Sequence, residues 1–258
     1  MNFGICNLSV IAVRKLPEHG SEMVTQLLFG ESFDIIETEN SWVFINTHYE
    51  NYKGWIHQLQ FLPLDGFEFN EFKGKPMVLT PNSSSSLTEV TSKKYVHLLL
   101  GCTLPLPIGD KFTIESVDYI FKGEYFTPSG KKTDILKFAA CYQNAPYLWG
   151  GRTQFGIDCS GFTQMAYKLA GIFLPRDASQ QSEIGETLSF ISESEPGDLV
   201  FFDNETGNIT HVGIIYDHQH IIHASGCVRI DMIDHNGIYN KDLGKYTHQL
   251  RLIKKVVA

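Results

Sequence analysis

The sequence predicts two small all-β barrels followed by an α+β domain. Short strand-like runs, broken by glycines and turn residues, fill the first 130 positions. The texture changes at Thr127-Pro128-Ser129-Gly130, and beyond it helical periodicity precedes a series of further strand-like runs.

Residues 8–14 (LSVIAVR) read as a short apolar strand, ended by a turn region from Pro17 to Gly20. QLLFGESFDIIETENSWVFINT and NYKGWIHQLQFLPL follow, broken at Gly30, at Glu39-Asn40-Ser41 and at Gly54. Strands at this spacing predict a small barrel over residues 1–62. Residues 63–130 echo it with MVLTPNSSSSLTEV, YVHLLLGCTLPL and KFTIESVDYIFKGEYF. The pairs LLFG/LLLG and YKGW/FKGEY indicate an internal duplication with a period of roughly 60 residues. The run from Ser83 to Ser86 is a loop tip of the second copy.

Within residues 131–258, TDILKFAACY sets Ile135, Leu136, Phe138 and Ala139 at helical spacing, with Thr133 or Asp134 as N-cap. DLVFFD, THVGIIYD, HIIHAS and THQLRLIKKVV read as strands. A helix layer on an antiparallel sheet makes this an α+β domain.

Composition excludes several function classes. A net charge of -8 argues against nucleic-acid binding, which needs clustered cations. No apolar run approaches the roughly 20 residues of a membrane-spanning helix, so membrane insertion is not expected. The N-terminal residues lack the charged, apolar and small-residue order of a signal peptide. Cys6, Cys102, Cys141, Cys159 and Cys227 are odd in number and contain no CxxC pair. Together these features predict a cytoplasmic protein, and a periplasmic protein whose leader had been trimmed would read the same; a monomer without cofactor or metal is the accompanying expectation.

The chemistry starts from Cys159. After it, Phe162, Met165, Ala166 and Leu169 form an amphipathic helical stripe that Gly171 stops, so Asp158 or Cys159 opens a helix. Unpaired backbone N–H groups there favour an anion and predict a thiol pKa lowered toward neutrality. A buried structural cysteine is the ordinary alternative, and it suits Cys6, Cys102, Cys141 and Cys227. The Gly, Asp and Ser around Cys159 suit a helix start instead. A cysteine nucleophile needs a base, and the base an orienting partner. His211 and His223 lie on neighbouring strand-like segments. An odd-numbered turn over Asp217–Gln219 would set Gly213 opposite His223 and His211 diagonal to it, at roughly 5–8 Å. An even turn without a bulge would put the rings on opposite faces. The other histidines, His248 among them, read as solvated or satisfied side chains, and a zinc site lacks a fourth ligand.

PYLWGG, DCSGF, LPRDASQQ, PGDLVFF, HVGIIY and IIHASG occur in that order across residues 131–258. This set closely resembles the NlpC-type cell-wall peptidases, a papain-like cysteine peptidase family. The resemblance implies a triad of Cys159 as nucleophile, His211 as base and His223 as the group orienting it, with Tyr147 helping to stabilise the oxyanion. Residues 1–130 resemble two bacterial SH3-like domains, an order similar to that of three-domain γ-D-glutamyl-L-diamino acid endopeptidases. Such enzymes recycle murein peptides and require a free N-terminal L-alanine. For substrate contacts the resemblance implies Glu22, in SEMVTQLLFGE, and Tyr52, before Lys53-Gly54-Trp55. It also implies Asp158, Ser160, Arg176 as a cation for the D-glutamate carboxylate, and Ser179 or its neighbour. The expected ligand is thus a murein-derived peptide such as L-Ala-γ-D-Glu-diamino acid. An exported hydrolase of intact wall stems and a non-catalytic peptide-binding protein are the competing readings. The complete Cys159, His211 and His223 set disfavours the second of them.

Overall fold

The computed structural model describes residues 2–257 and divides into two compact units, Met1–Pro128 and Ser129–Ala258. In the first unit, seven antiparallel strands run in the order Met23–Leu28, Val10–Arg14, Lys53–His57, Trp42–Thr47, Ser32–Glu39, Phe3–Ile5 and Leu62–Leu64. Alternating apolar residues give this sheet its core of Cys6, Ile11, Val13, Leu27, Phe33, Val43, Ile45 and Ile56. A helix, Gly66–Lys73, then intervenes where only strands were expected. Its start is set by a capping box: Asp65 accepts from the N–H groups of Phe67 and Glu68, while Glu68 accepts from that of Asp65. Phe69 is anchored by stacking on Phe3 at 4.2 Å.

A four-stranded sheet follows, ordered Tyr95–His97, Ser86–Glu89, Val117–Lys122 and Lys111–Ile114, beside the pair Met77–Leu79 and Thr103–Pro105. The LLFG/LLLG echo has a structural counterpart. Gly30 and Gly101 both adopt left-handed backbone, with φ of 83° and 84°. Gly30 donates its N–H to Cys6 O, and Cys6 donates to Glu31 O. In the same way Gly101 donates to Thr80 O, and Thr80 donates to Cys102 O.

In the second unit, six antiparallel strands close on themselves: Lys245–Lys255, Leu199–Asp203, Ile209–Asp217, His220–Ser225, Cys227–Asp234 and Gly237–Asn240, the last pairing back to the first. Glu186–Leu188 adds an edge strand. One face of the sheet buries Val200, Phe202, Ile215, Ile221, Ile233, Ile238 and Ile253 against one another. Helix Cys159–Ala170 packs on the strands Ile209–Asp217 and His220–Ser225, and helix Thr133–Ala140 packs on that helix. Burial on both faces explains why DLVFFD reads as a continuous apolar run rather than an alternating one. Neither Thr133 nor Asp134 caps the helix Thr133–Ala140: Lys132 is the cap, without a side-chain bond, and Asp134 accepts from Ser129 Oγ instead. Among the described residues no helix is long and apolar enough to cross a membrane.

Candidate active site

The helix that opens at Cys159 begins and ends where the sequence indicates. Asp158 is its N-cap, accepting from Gly161 N–H at 2.7 Å, and Gly171, with φ of 89°, ends it. The helix buries more than its apolar stripe, however, because all twelve of its residues are buried. Its polar side is covered by the segment around LPRDASQQ: Thr163 donates to Gln181 Oε1 and Gln164 to Leu174 O, while Gln181 donates to Ser160 O and Pro175 O.

Asp158 carries more than a cap. Its carboxylate also accepts from Gly150 N–H at 2.8 Å, from Ser160 Oγ at 3.3 Å and from both terminal nitrogens of Arg176, at 2.9 and 2.5 Å. Arg176 is 1% exposed and donates to Ser160 Oγ as well. Asp158, Ser160 and Arg176 are thus joined beside Cys159, and the guanidinium expected to face a substrate carboxylate is met by Asp158. Ser179 lies on the short helix Ala178–Gln181 and is exposed.

His211 and His223 reach the same face of the sheet by a route that combines both turn cases. The connection is the two-residue turn His218-Gln219, but a bulge at Tyr216 shifts the register. Gly213 then pairs with His223, and His211 lies diagonally across. His211 Nε2 is 2.9 Å from His223 Nδ1. Gly213 leaves room for this: a Cβ there would lie 2.7 Å from Ile221 Cδ1 and 2.9 Å from His223 Cβ. Gly213→Ala is therefore expected to cost about 1–3 kcal/mol by overpacking and to displace His223. Thermal unfolding checks the first effect; an unchanged melting temperature would show that the site relaxes freely.

Two further groups reach this cluster. Asp231 Oδ2 lies 3.1 Å from His223 Nε2, and Arg229 pairs with Asp231, Nε to Oδ2 at 2.8 Å and Nη2 to Oδ1 at 2.9 Å. His248, read as solvated or satisfied, is half-buried with Nδ1 2.9 Å from Thr247 Oγ1, and it stacks on His211 with ring centroids 4.1 Å apart. An acidic residue in a strand such as CVRIDMID gives no signal by itself; only the pairing of His223 with Arg229 brings Asp231 diagonal to His223.

Burial governs the titration of this cluster. Cys159 is 6% exposed, and burial, aided by the Asp158 charge, pushes its thiol up to about 11. Backbone hydrogen bonds at Val212 and Ser160, together with Arg176, offset this only in part. The expected lowering at the helix start is outweighed. The bond at Val212 brings the thiol to the residue next to His211 in the chain. Burial, then His223 and His248, hold His211 well below the usual histidine value, and burial takes His248 down to about 4. Tyr147 sits within electrostatic reach of Cys159 and Asp158, and burial with those two groups raises its phenol to about 12. Among the described residues no group of His, Cys, Asp and Glu is arranged to hold a metal.

Glu22 and Tyr52 belong to the first unit. Glu22 is exposed, 3.0 Å from Lys15 Nζ, just before the strand Met23–Leu28. Tyr52 is half-buried, and its N–H donates to Thr47 Oγ1.

Residues 144–248 match the NlpC/P60 family model, and residues 13–60 match the model of the bacterial dipeptidyl-peptidase SH3 domain. Gamma-D-glutamyl-L-lysine dipeptidyl-peptidase of Bacillus cereus is 27% identical over 230 residues, covering 80% of this chain and 68% of that protein. Dipeptidyl-peptidase 6 of Lysinibacillus sphaericus is 26% identical over 253 residues, covering 88% and 90%. The crystal structure of an NlpC/P60 family protein from Bacillus cereus shares the fold, with a TM-score of 0.83 at 20% identity over 99% of this chain and 100% of that one.

Proposed function

On the premise that the chain carries an NlpC/P60 cysteine peptidase domain behind a bacterial dipeptidyl-peptidase SH3 domain, we propose that it hydrolyses the γ-D-glutamyl–diamino acid bond of murein peptides. The observation that carries the proposal is the buried His211–His223 hydrogen bond of 2.9 Å, on the strand that meets the Cys159 thiol at Val212. Similarity to proteins named as γ-D-glutamyl-L-lysine dipeptidyl-peptidases supports the bond chosen and makes lysine the first diamino acid to try.

Cys159 Sγ attacks the γ-carbonyl carbon of D-glutamate. The thiol starts protonated, so His211 takes its proton as the bond forms. The oxyanion is held by the N–H of Cys159 at the helix start and by the Tyr147 hydroxyl, which keeps its proton with a pKa of about 12. Collapse expels the diamino acid amine, which leaves with the proton from His211. Water, deprotonated by His211, then cleaves the thioester and restores the thiol.

The finer specificity belongs to the same proposal: a free N-terminal L-alanine, recognition through Glu22 and Tyr52, and recycling of released peptides in the cytoplasm. So do a papain-like descent for the catalytic unit and a second SH3-like module over residues 63–130, for which the matching bonds at Gly30 and Gly101 speak. The test is mass-spectrometric analysis of L-Ala-γ-D-Glu-L-Lys and its N-acetylated form after incubation with the full chain. Release of L-Ala-γ-D-Glu from the free peptide alone is expected. Cleavage of both forms would remove the amine requirement, and cleavage of neither would remove the substrate assignment.

A further inference from the structure

We propose that Asp231 is a positioning residue: acting through His223, it fixes the tautomer of His211 that leaves Nδ1 free to take the proton of Cys159. This rests on the reading of His211 as the base.

The chain of contacts is directional. Asp231 is 5% exposed, and its carboxylate is an acceptor only. Burial alone would raise its pKa, but the hydrogen bonds from His223 and Arg229 outweigh that and keep it ionised. The nitrogen of His223 facing it, Nε2 at 3.1 Å, must therefore carry a hydrogen. In a neutral His223 the other nitrogen, Nδ1, is then an acceptor, and it faces His211 Nε2 at 2.9 Å. His211 Nε2 must donate, which strips the hydrogen from Nδ1 and makes that nitrogen basic.

A protonated His223 would give the opposite result. Its Nδ1–H would donate to His211 Nε2, and a neutral His211 would carry its hydrogen on Nδ1, useless as a base. Two features disfavour that state. Arg229 meets the buried carboxylate of Asp231 with two nitrogens, while its second carboxylate partner, Asp242, is exposed to solvent. His248 stacks on His211 and lies 5.8 Å from His223 between ring centroids, another ring of the same chemistry rather than an anion. From the helix side the groups at the site are Cys159, Asp158 and Arg176, the last two paired with each other.

Asp231→Asn keeps the shape but removes the forced polarity, since an amide can turn either its oxygen or its nitrogen toward His223. Arg229 keeps Asp242 as a partner. Two readouts on the full chain need no peptide. Long-range ¹H–¹⁵N correlation of labelled histidines reports which nitrogen of His211 carries hydrogen, and mass spectrometry follows alkylation of Cys159 by iodoacetamide. The wild type is expected to hold His211 with hydrogen on Nε2. In Asp231→Asn a mixture of tautomers is expected, with alkylation at neutral pH slowed roughly 10- to 100-fold, part of the about 10²–10⁴-fold that a positioned base contributes. Asp231→Glu is expected to recover part of the rate.

Hydrogen on Nδ1 of wild-type His211 would overturn the proposal whether or not the variant folds. So would an Asp231→Asn protein with unchanged tautomer and unchanged alkylation. Failure of the wild type to cut L-Ala-γ-D-Glu-L-Lys, with both peptide-free readouts as expected, would count against the substrate assignment and still support the role of Asp231.

Discussion

Cys159→Ala is expected to lower the hydrolysis of L-Ala-γ-D-Glu-L-Lys by on the order of 10⁶-fold, the scale found when a catalytic nucleophile is removed from a peptidase triad. His211→Ala should lose a similar amount, and the double variant little more, because nucleophile and base act in one step. Progress curves followed by mass spectrometry over days give the range needed. Retention of more than a few per cent of activity in Cys159→Ala would end the covalent mechanism.

The same pair determines how activity should depend on pH. With the thiol at about 11 and His211 held well below 6.5, the free enzyme is a neutral pair between those values. Protonating His211 removes the base, so kcat/KM should fall only along an acid limb centred below pH 6.5. The rate should then stay level through pH 8, since no ionisation of Cys159 intervenes before about 11. The groups that set this are His223 and His248 on the sheet and Asp158 and Arg176 at the helix start. A bell with its base limb near the ordinary thiol range would mean a resting thiolate–imidazolium pair instead, and with it a helix-start effect stronger than burial.

What the sequence reveals divides along local and non-local lines. The cap at Asp158, the stop at Gly171 and the change of texture near Pro128 are local, written in residues a few positions apart. The meeting of His211 and His223 is not, because it turns on one extra residue at Tyr216 that inverts the parity of the strand. Asp231 and His248 come to the site through strand pairing and closure of the sheet, and no pattern in their own segments signals it. The helix Gly66–Lys73 is short, and its capping box lies inside a stretch of strand-like texture. The Cys159 pKa shows the same division: a helix start is visible in the sequence, whereas the burial that overrides it belongs to the packed unit.

Arg176 is where the two levels lead to opposite experiments. A cation waiting for the D-glutamate carboxylate would be costly to lose only when substrate is present. A guanidinium 1% exposed and bidentate to Asp158 should matter to folding itself. Arg176→Leu leaves the Asp158 carboxylate buried with hydrogen-bond donors but no countercharge, a loss of about 3–5 kcal/mol. For a protein of this size that corresponds to a fall of about 6–20 °C in the thermal transition, read by calorimetry without peptide. Adding Asp158→Asn should restore part of it, since the amide still caps Gly161 and no unpaired charge remains. Arg176→Lys separates the roles further. Lysine cannot reproduce the two-pronged contact, so a structural arginine predicts a lowered transition with KM nearly unchanged in the surviving enzyme. A substrate-binding arginine predicts the reverse: an unaltered transition and a raised KM.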